Sequence, residues 1–257
     1  MTYPILEGKV AIVTGAAMGM GEATARLFAA AGASVIVADF NTEKGEAVAG
    51  DIRDGGGSAS FVHVDISQSA QVEALVAATV KEYGRLDVAV NNAALTPDDK
   101  PVHEFDEAYW DRLMAVDLKG TALCLKYELR QMLAQGDGGS IVNISSVSGF
   151  RPQPSNVAYV AAKHGVNGLT KVAALENGQH NIRVNTVAPG AIDTPMLRGA
   201  LEQFGLDPDA YAPQLSLLNR FAQPSEVAQA SLWLASDLSS YVTGTVIHVD
   251  AGYVQGR

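Results

Sequence analysis

Tyr159 and Lys163 stand four residues apart in "YVAAK", so on a helix their side chains share a face. A phenol with a pKa of ~10 is a poor base at neutral pH. A lysine ammonium beside it favours the phenolate and can lower that value by ~1–3 units. Such a pair can take the O–H proton of a secondary alcohol while a hydride leaves carbon, or return it to a ketone. Ser146 precedes Tyr159 by 13 residues, at the end of an expected strand. Its hydroxyl can donate to the substrate oxygen as charge develops.

Three glycines carry a second kind of chemistry. Gly15, Gly19 and Gly21, in "TGAAMGMGEATARLF", follow the apolar run "VAIV" and open an expected helix. A backbone this bare suits a tight turn, and it also lets a ligand approach. The N–H groups and partial positive charge at the helix start are suited to a pyrophosphate. The spacing, G-x-x-x-G-x-G, is not the commoner G-x-G-x-x-G. Asp39 closes the next strand, 24 residues after Gly15. There a carboxylate can accept both hydroxyls of an adenosine ribose, or cap the following helix. A 2′-phosphate ~5 Å away would be repelled by roughly 3 kcal/mol per charge pair at an effective dielectric of ~20. The flanking Ala16, Ala17 and Phe40 are neutral, so the spacing favours NAD over NADP. S-adenosylmethionine-dependent methyltransferases also combine a glycine loop with an acid after the second strand, but they bind no pyrophosphate.

Apolar strands alternating with helices must position these groups. "KVAIVTG", "SVIVADF", "SFVHVDI", "LDVAVNN", "GSIVNISS", "IRVNTVAPG" and "TVIHVDAG" read as strands. Between them lie helical segments, including a long helix over about residues 106–133 and "VAYVAAKHGVNGLTKVAALEN". Runs that are apolar throughout imply a parallel sheet covered on both faces. Residues 191–223 are less regular. No linker or repeat divides the chain, so residues 1–257 read as one α/β domain.

In order along the chain, "TGAAMGMG", "NNAA", Ser146, "YVAAK" and "PGAIDTPM" resemble the motifs of the short-chain dehydrogenase/reductase family. The resemblance spans about residues 7–253 and leaves little room for the methyltransferase reading. It implies a single doubly wound Rossmann domain with a seven-stranded parallel sheet and helices on both faces. Ser146, Tyr159 and Lys163 match the family's catalytic set, and Lys163 would also hold the nicotinamide ribose. The resemblance assigns the dinucleotide to Gly15, Met18, Gly19, Met20, Gly21, Asp39, Asp65, Ile66, Asn91, Ala93, Tyr159, Lys163, Pro189, Gly190, Ile192 and Thr194. Within that set Asp65 falls near the adenine, Asn91 beside the adenosine ribose, and Ile192 and Thr194 at the carboxamide. Residues 191–223 would form a substrate lid.

Two positions depart from the family pattern. Ala94 stands where glycine is usual. Asp117, in "VDLKG", replaces the Asn of a proton relay. Either its carboxylate joins that relay, or only its backbone carbonyl does.

The remaining readings narrow the function. Net charge is −10, with no basic run, which disfavours nucleic acid and anionic membranes as partners. No stretch approaches the ~20 apolar residues of a membrane span. The lone cysteine, Cys124, excludes an internal disulfide, fits a cytoplasmic setting and reads as core packing. The five histidines are scattered without ligand spacing, so no metal is expected. Met196, Leu197, Phe204, Leu206, Tyr211, Leu215, Leu217 and Leu218 make the lid apolar and point to a small hydrophobic or cyclic alcohol or ketone. The alternatives are an NADPH-dependent ketoreductase, which Asp39 disfavours, and a dinucleotide-binding sensor without turnover, which the intact Ser-Tyr-Lys set disfavours. In the long helix, Leu113, Val116 and Leu123 mark one apolar face and Leu118, Leu125 and Leu129 a second that needs a partner. With the small stripe Ala161, Gly165 and Gly168, this predicts a homotetramer.

Overall fold

The computed structural model describes residues 5–256. Its first half runs β1 (Val10–Thr14), α1 (Gly19–Ala30), β2 (Ser34–Asp39), α2 (Thr42–Asp54), β3 (Ser58–His63), α3 (Ser69–Tyr83) and β4 (Val88–Asn91). Next come α4 (Glu107–Leu113), a π-helical segment (Met114–Gly120), α5 (Thr121–Gln135), β5 (Gly139–Ile144), α6 (Val157–Asn177) and β6 (Ile182–Pro189). The chain ends with α7 (Pro195–Phe204), α8 (Pro208–Leu215), α9 (Pro224–Ala235), β7 (Val246–Val249) and the short α10 (Tyr253–Gly256).

All pairings are parallel, in the order β3-β2-β1-β4-β5-β6-β7. Consecutive strand residues face opposite sides. Ala11, Val13, Val35, Val37, Val88, Val90, Val142 and Ile144 pack under α1, α2 and α9 with Phe28, Val48, Ile52 and Val227. Ile12, Ile36, Ala38, Ala89 and Ile141 pack under α3, α5 and α6 with Leu75, Val76, Met132 and Ala173. Two buried faces explain why these strands are apolar throughout instead of alternating. The result is the expected doubly wound α/β domain. Its order reverses between β1 and β4, and that switch opens the ligand crevice at the strands' carboxyl ends.

Three expectations about local structure change. Residues 191–223 hold two helices, α7 and α8. Thr194 caps α7, accepting from Leu197 N at 3.3 Å, with Pro195 at the first position. Asp207 caps α8, accepting from Asp209 N at 3.1 Å, with Pro208 following. The long fourth helix contains the wider π turn, which shifts the register of side chains around it. The two apolar faces therefore divide differently. Val116, Leu123, Leu125 and Leu129 all join the cluster under α3 and α5, while Leu113 and Leu118 pack against α6. The small stripe is also partly filled from within the chain, because a Cβ on Gly165 would lie 2.6 Å from Leu118 Cδ1.

Candidate active site

At the cofactor end of the crevice, the glycine turn is built by close approach. A Cβ on Gly15 would meet Ala93 Cα at 2.7 Å, and one on Gly21 would meet Gly15 O at 2.1 Å. Gly19 opens α1 at φ +61°, in the left-handed region where a Cβ is disfavoured. Met18, the N-cap residue, makes no side-chain capping bond among the described residues, so the first N–H groups of α1 remain available to an anion. Met18 is exposed, and Met20 packs against the core.

Asp39 faces this turn. Its Oδ2 accepts from Ala17 N at 2.9 Å and its Oδ1 from Asn41 N at 2.8 Å. A carboxylate has about four acceptor positions, so each oxygen keeps one for a ribose hydroxyl. The alternative role as cap of α2 falls to Asn41, which accepts from Lys44 N at 3.0 Å. Asp65 Oδ1 accepts from Ser67 N at 2.9 Å and Ser67 Oγ at 2.7 Å. Ile66 is buried against Gly120.

The two asparagines of "NNAA" point to opposite sides of β4. Asn91 turns inward, and its Nδ2 donates to Glu128 Oε2 at 3.0 Å and Asn143 Oδ1 at 2.9 Å. Its side chain therefore serves the core, not the crevice, which leaves only its backbone beside the expected ribose. Asn92, which the sequence reading passed over, holds the glycine turn by donating to Thr14 O at 3.0 Å and Gly15 O at 3.1 Å. Period-2 alternation along the strand is the signal that separates the two. Ala93 N donates to Thr14 Oγ1 at 3.2 Å.

The segment after β6 closes the other wall. Gly190 lies so near Asp250 that a Cβ would come within 2.8 Å of its Cα. Ile192 is buried and forms a β-bridge with Ala222. Thr194 sits opposite the glycine turn, its Cγ2 3.5 Å from where a Gly19 Cβ would stand.

At the carboxyl end of β5, Ser146 Oγ accepts from Ser148 N at 3.1 Å. Tyr159 is the third residue of α6, and Lys163 lies one turn later with Nζ 5.3 Å from the centre of the tyrosine ring. Lys163 Nζ donates to Ile144 O at 3.4 Å and pairs with Asp117 Oδ2 at 3.4 Å. Asp117 Oδ1 accepts from Leu95 N at 2.8 Å, and its carbonyl accepts from Thr121 Oγ1 at 2.9 Å. Its carboxylate thus points at the lysine. Asp117 lies buried within the π turn.

Burial pushes the Asp117 carboxyl up, while Lys163 and the Leu95 amide pull it down. Burial also works against the Lys163 ammonium, but Asp117 and Tyr159 outweigh it and raise its pKa. Tyr159 departs from expectation. Burial raises its phenol above the ordinary value and Asp117 adds to this, against the lowering pull of Lys163 and the Ser146 hydroxyl. The lysine's effect is present but smaller than the desolvation of a phenolate.

The apolar side chains of residues 191–223 pack partly among themselves. Leu197, Tyr211 and Leu215 pack on a centre of Leu201, Ala212 and Phe221. Met196, Phe204, Leu206, Leu217 and Leu218 are exposed. A cleft of about 820 Å³ beneath α7 and α8 is lined by ion-paired Asp193, Arg198, Arg220 and Glu226, and includes none of Ser146, Tyr159 or Lys163. Among the described residues no three metal-ligating side chains cluster, and no helix is long and apolar enough to cross a membrane.

Comparison with known proteins agrees with this geometry. Residues 15–254 match the family model described as enoyl-(acyl carrier protein) reductase. The chain is 51% identical over 248 residues to the short chain dehydrogenase/reductase astE of Aspergillus oryzae, covering 96% of this chain and 95% of that one. It is 45% identical over 249 residues to the 2,5-dichloro-2,5-cyclohexadiene-1,4-diol dehydrogenase of Sphingobium indicum, covering 96% and 98%. The crystal structure of levodione reductase superposes with a TM-score of 0.93 at 35% identity, covering 98% of this chain and 100% of that one. The chain belongs to the short-chain dehydrogenase/reductase family. It is an oxidoreductase of the kind that binds a nicotinamide dinucleotide, and the bare glycine turn with its uncapped helix start fits such a cofactor.

Proposed function

We propose that the protein is an NAD-dependent dehydrogenase/reductase that interconverts a small, apolar, cyclic secondary alcohol and its ketone. The observation that carries this reading is that Ser146, at the carboxyl end of β5, meets Tyr159 and Lys163 on the first turns of α6, with Ser146 and Lys163 buried and Tyr159 half-buried. The bound nicotinamide would supply the hydride acceptor. Tyr159 would move the hydroxyl proton, and Ser146 would hold the substrate oxygen through a donated hydrogen bond. Lys163, fixed by Ile144 O and Asp117, would favour the phenolate and reach the nicotinamide ribose. The glycine turn would cradle the pyrophosphate, with Asp65, Ile66 and Ala93 toward the adenosine and Pro189–Thr194 over the nicotinamide.

Asp39 supports NAD over NADP, because both its oxygens are fixed at the ribose position without a neighbouring cation among its hydrogen-bond partners. The ring substrate is supported by the Sphingobium relative, whose name specifies a cyclohexadiene diol, and by the exposed apolar side chains of the 191–223 lid. The reading includes a cytoplasmic homotetramer. With Gly165 filled by Leu118, support for assembly rests on Val172 and Leu175, exposed at 54% and 84% on α6.

The test is a panel of cyclic and acyclic secondary alcohols with NAD and NADP, followed by absorbance of the reduced cofactor. Turnover of cyclic alcohols with NAD is expected. Equal kcat/KM with NADP, or turnover only of acyl-thioester ketones with NADPH, would overturn it.

A further inference from the structure

The segment after β4 crosses the start of the helix that carries Tyr159. That helix, α6, begins without its own cap, since Asn156 at the N-cap makes no side-chain capping bond among the described residues. The first N–H groups of a helix need partners. Here Asp98 supplies them from 60 and 61 residues away. Its Oδ2 accepts from Ala158 N and its Oδ1 from Tyr159 N, each at 3.0 Å. Asn156 Nδ2 donates in return to the Asp98 carbonyl, and Lys100 forms a β-bridge with Asn156.

The same segment is held at its other end. Leu95 N donates to Asp117 Oδ1 at 2.8 Å, and Tyr109 OH donates to Thr96 O at 2.5 Å. Asp117 Oδ2 in turn faces Lys163 at 3.4 Å. The contacts close a circuit: the Tyr159 amide to Asp98, along the chain to Leu95, to Asp117, to Lys163, and back along one turn of α6 to Tyr159.

We infer that Asp98 is a positioning residue for proton transfer: through the Leu95–Lys100 strap it fixes where the Tyr159 phenol stands relative to Lys163 and Asp117. The inference rests on the function proposed above. A cap alone would serve helix stability, and many side chains could provide one. The particular feature is that one carboxylate grips the backbone of the reacting tyrosine, while its segment grips the acid that pairs with the lysine. Misplacement of a reacting group by ~1 Å can lower turnover about 100-fold.

Asp98→Ala removes both the bonds and the charge. Asp98→Asn removes the charge but keeps an acceptor. Val48→Ala, a core truncation in α2 on the far side of the sheet, controls for lost stability. The first readout needs no turnover. The ultraviolet titration of Tyr159 is isolated by subtracting a Tyr159→Phe background. The charged and hydroxyl groups facing this phenol are Lys163, Asp117 and Ser146, and all are kept. Its midpoint should lie higher in Asp98→Ala than in Asp98→Asn, because only the alanine variant frees the ring to move from the ammonium. The second readout is kinetic. Asp98→Ala should lower kcat about 10- to 100-fold while the NAD Kd stays within about twofold, Asp98→Asn should recover most of the loss, and Val48→Ala should keep kcat at an equal fall in Tm. Coincident midpoints in the two Asp98 variants, or a kcat loss no greater than that of Val48→Ala, would overturn the inference. If the wild type oxidises no alcohol, the proposed function fails and the titration still decides the role of Asp98.

Discussion

Asp117 and Glu128 lie on one continuous helical stretch, and both are buried, at 0% and 2% exposure. Burial raises both carboxyls, but their surroundings differ. Asp117 faces the Lys163 ammonium and the Leu95 amide. Glu128 has the Asn91 amide at 3.0 Å, and its pKa is pushed up to about 7. Beyond Asn91 the polar chain continues through Asn143 to Thr170 and Thr186, at 2.8–2.9 Å per step. At the Lys163 end, a buried carboxylate faces an opposite charge and raises the Tyr159 phenol. At the core end, a buried acid is held by a neutral network and costs stability when it ionises.

The largest expected effect separates the two ends by turnover. Tyr159→Phe keeps the ring and loses the proton-transfer group, so kcat should fall about 10²- to 10⁴-fold with NAD binding retained. Glu128→Gln should leave kcat within about twofold. Steady-state kinetics and cofactor fluorescence check both. A large kcat loss in Glu128→Gln would break the comparison.

Stability separates them in the opposite sense. The native state holds the Glu128 proton up to about pH 7, while the unfolded chain releases it near the ordinary value of 4.5. Between those limits the native state binds more protons, so stability falls as pH rises and the full cost is present above pH 7. A displacement of that size corresponds to about 3 kcal/mol. Glu128→Gln, which can still accept from Asn91, should therefore be more stable than wild type at pH 8 by up to about 3 kcal/mol and closely matched near pH 4.5. Urea denaturation at both pH values measures it. An equal offset at both would mean that Glu128 does not titrate in this window.

A third carboxylate sharpens the comparison from the solvent side. Asp39 is half-buried and holds backbone N–H groups, with no ammonium among its hydrogen-bond partners. Its charge is expected to act on the cofactor instead. Asp39→Ala should reduce the preference for NAD over NADP about tenfold, mainly by improving NADP, since relief of a partly screened repulsion is the cause. Equal kcat/KM for the two cofactors in the wild type would remove Asp39 from this role.

These differences also mark what was legible in the sequence. The alternation of Val and Ile between two covered faces fixed the sheet and its helices. The glycine spacing, Asp39, and the Tyr159–Lys163 interval pointed to the crevice and to the Ser146, Tyr159 and Lys163 group proposed to carry the proton transfer. Less was legible where geometry depends on distant partners. Asn91 and Asn92 look equivalent as residue types, yet strand alternation sends one to Glu128 and the other to the glycine turn. The π turn carries no local residue signature beyond a polar Asp117 in an apolar stretch, and it redistributed Leu118, Leu125 and Leu129. Asp98 reads as an ordinary loop acid until α6 is placed against it. Helices α7 and α8 were signalled by Thr194-Pro195 and Asp207-Pro208, cap-plus-proline pairs hidden in a stretch with weak periodicity. The direction of the Tyr159 shift required the degree of burial, which spacing does not supply.

The central claim is that Asp117 sets the proton affinity of the Tyr159–Lys163 pair. The two groups titrate together, so the relevant quantity is the loss of one proton from the pair. An ionised carboxylate at 3.4 Å from Lys163 resists that loss, and Asp117 raises the Tyr159 phenol. Matched pH profiles of kcat/KM for alcohol oxidation by wild type and Asp117→Asn, with proton transfer at least partly rate-limiting, test this most directly. The rising limb of the variant should move to lower pH by about one unit, while Asn at this position keeps an acceptor for Leu95 N. Superimposable limbs, or a shift to higher pH, would contradict the account.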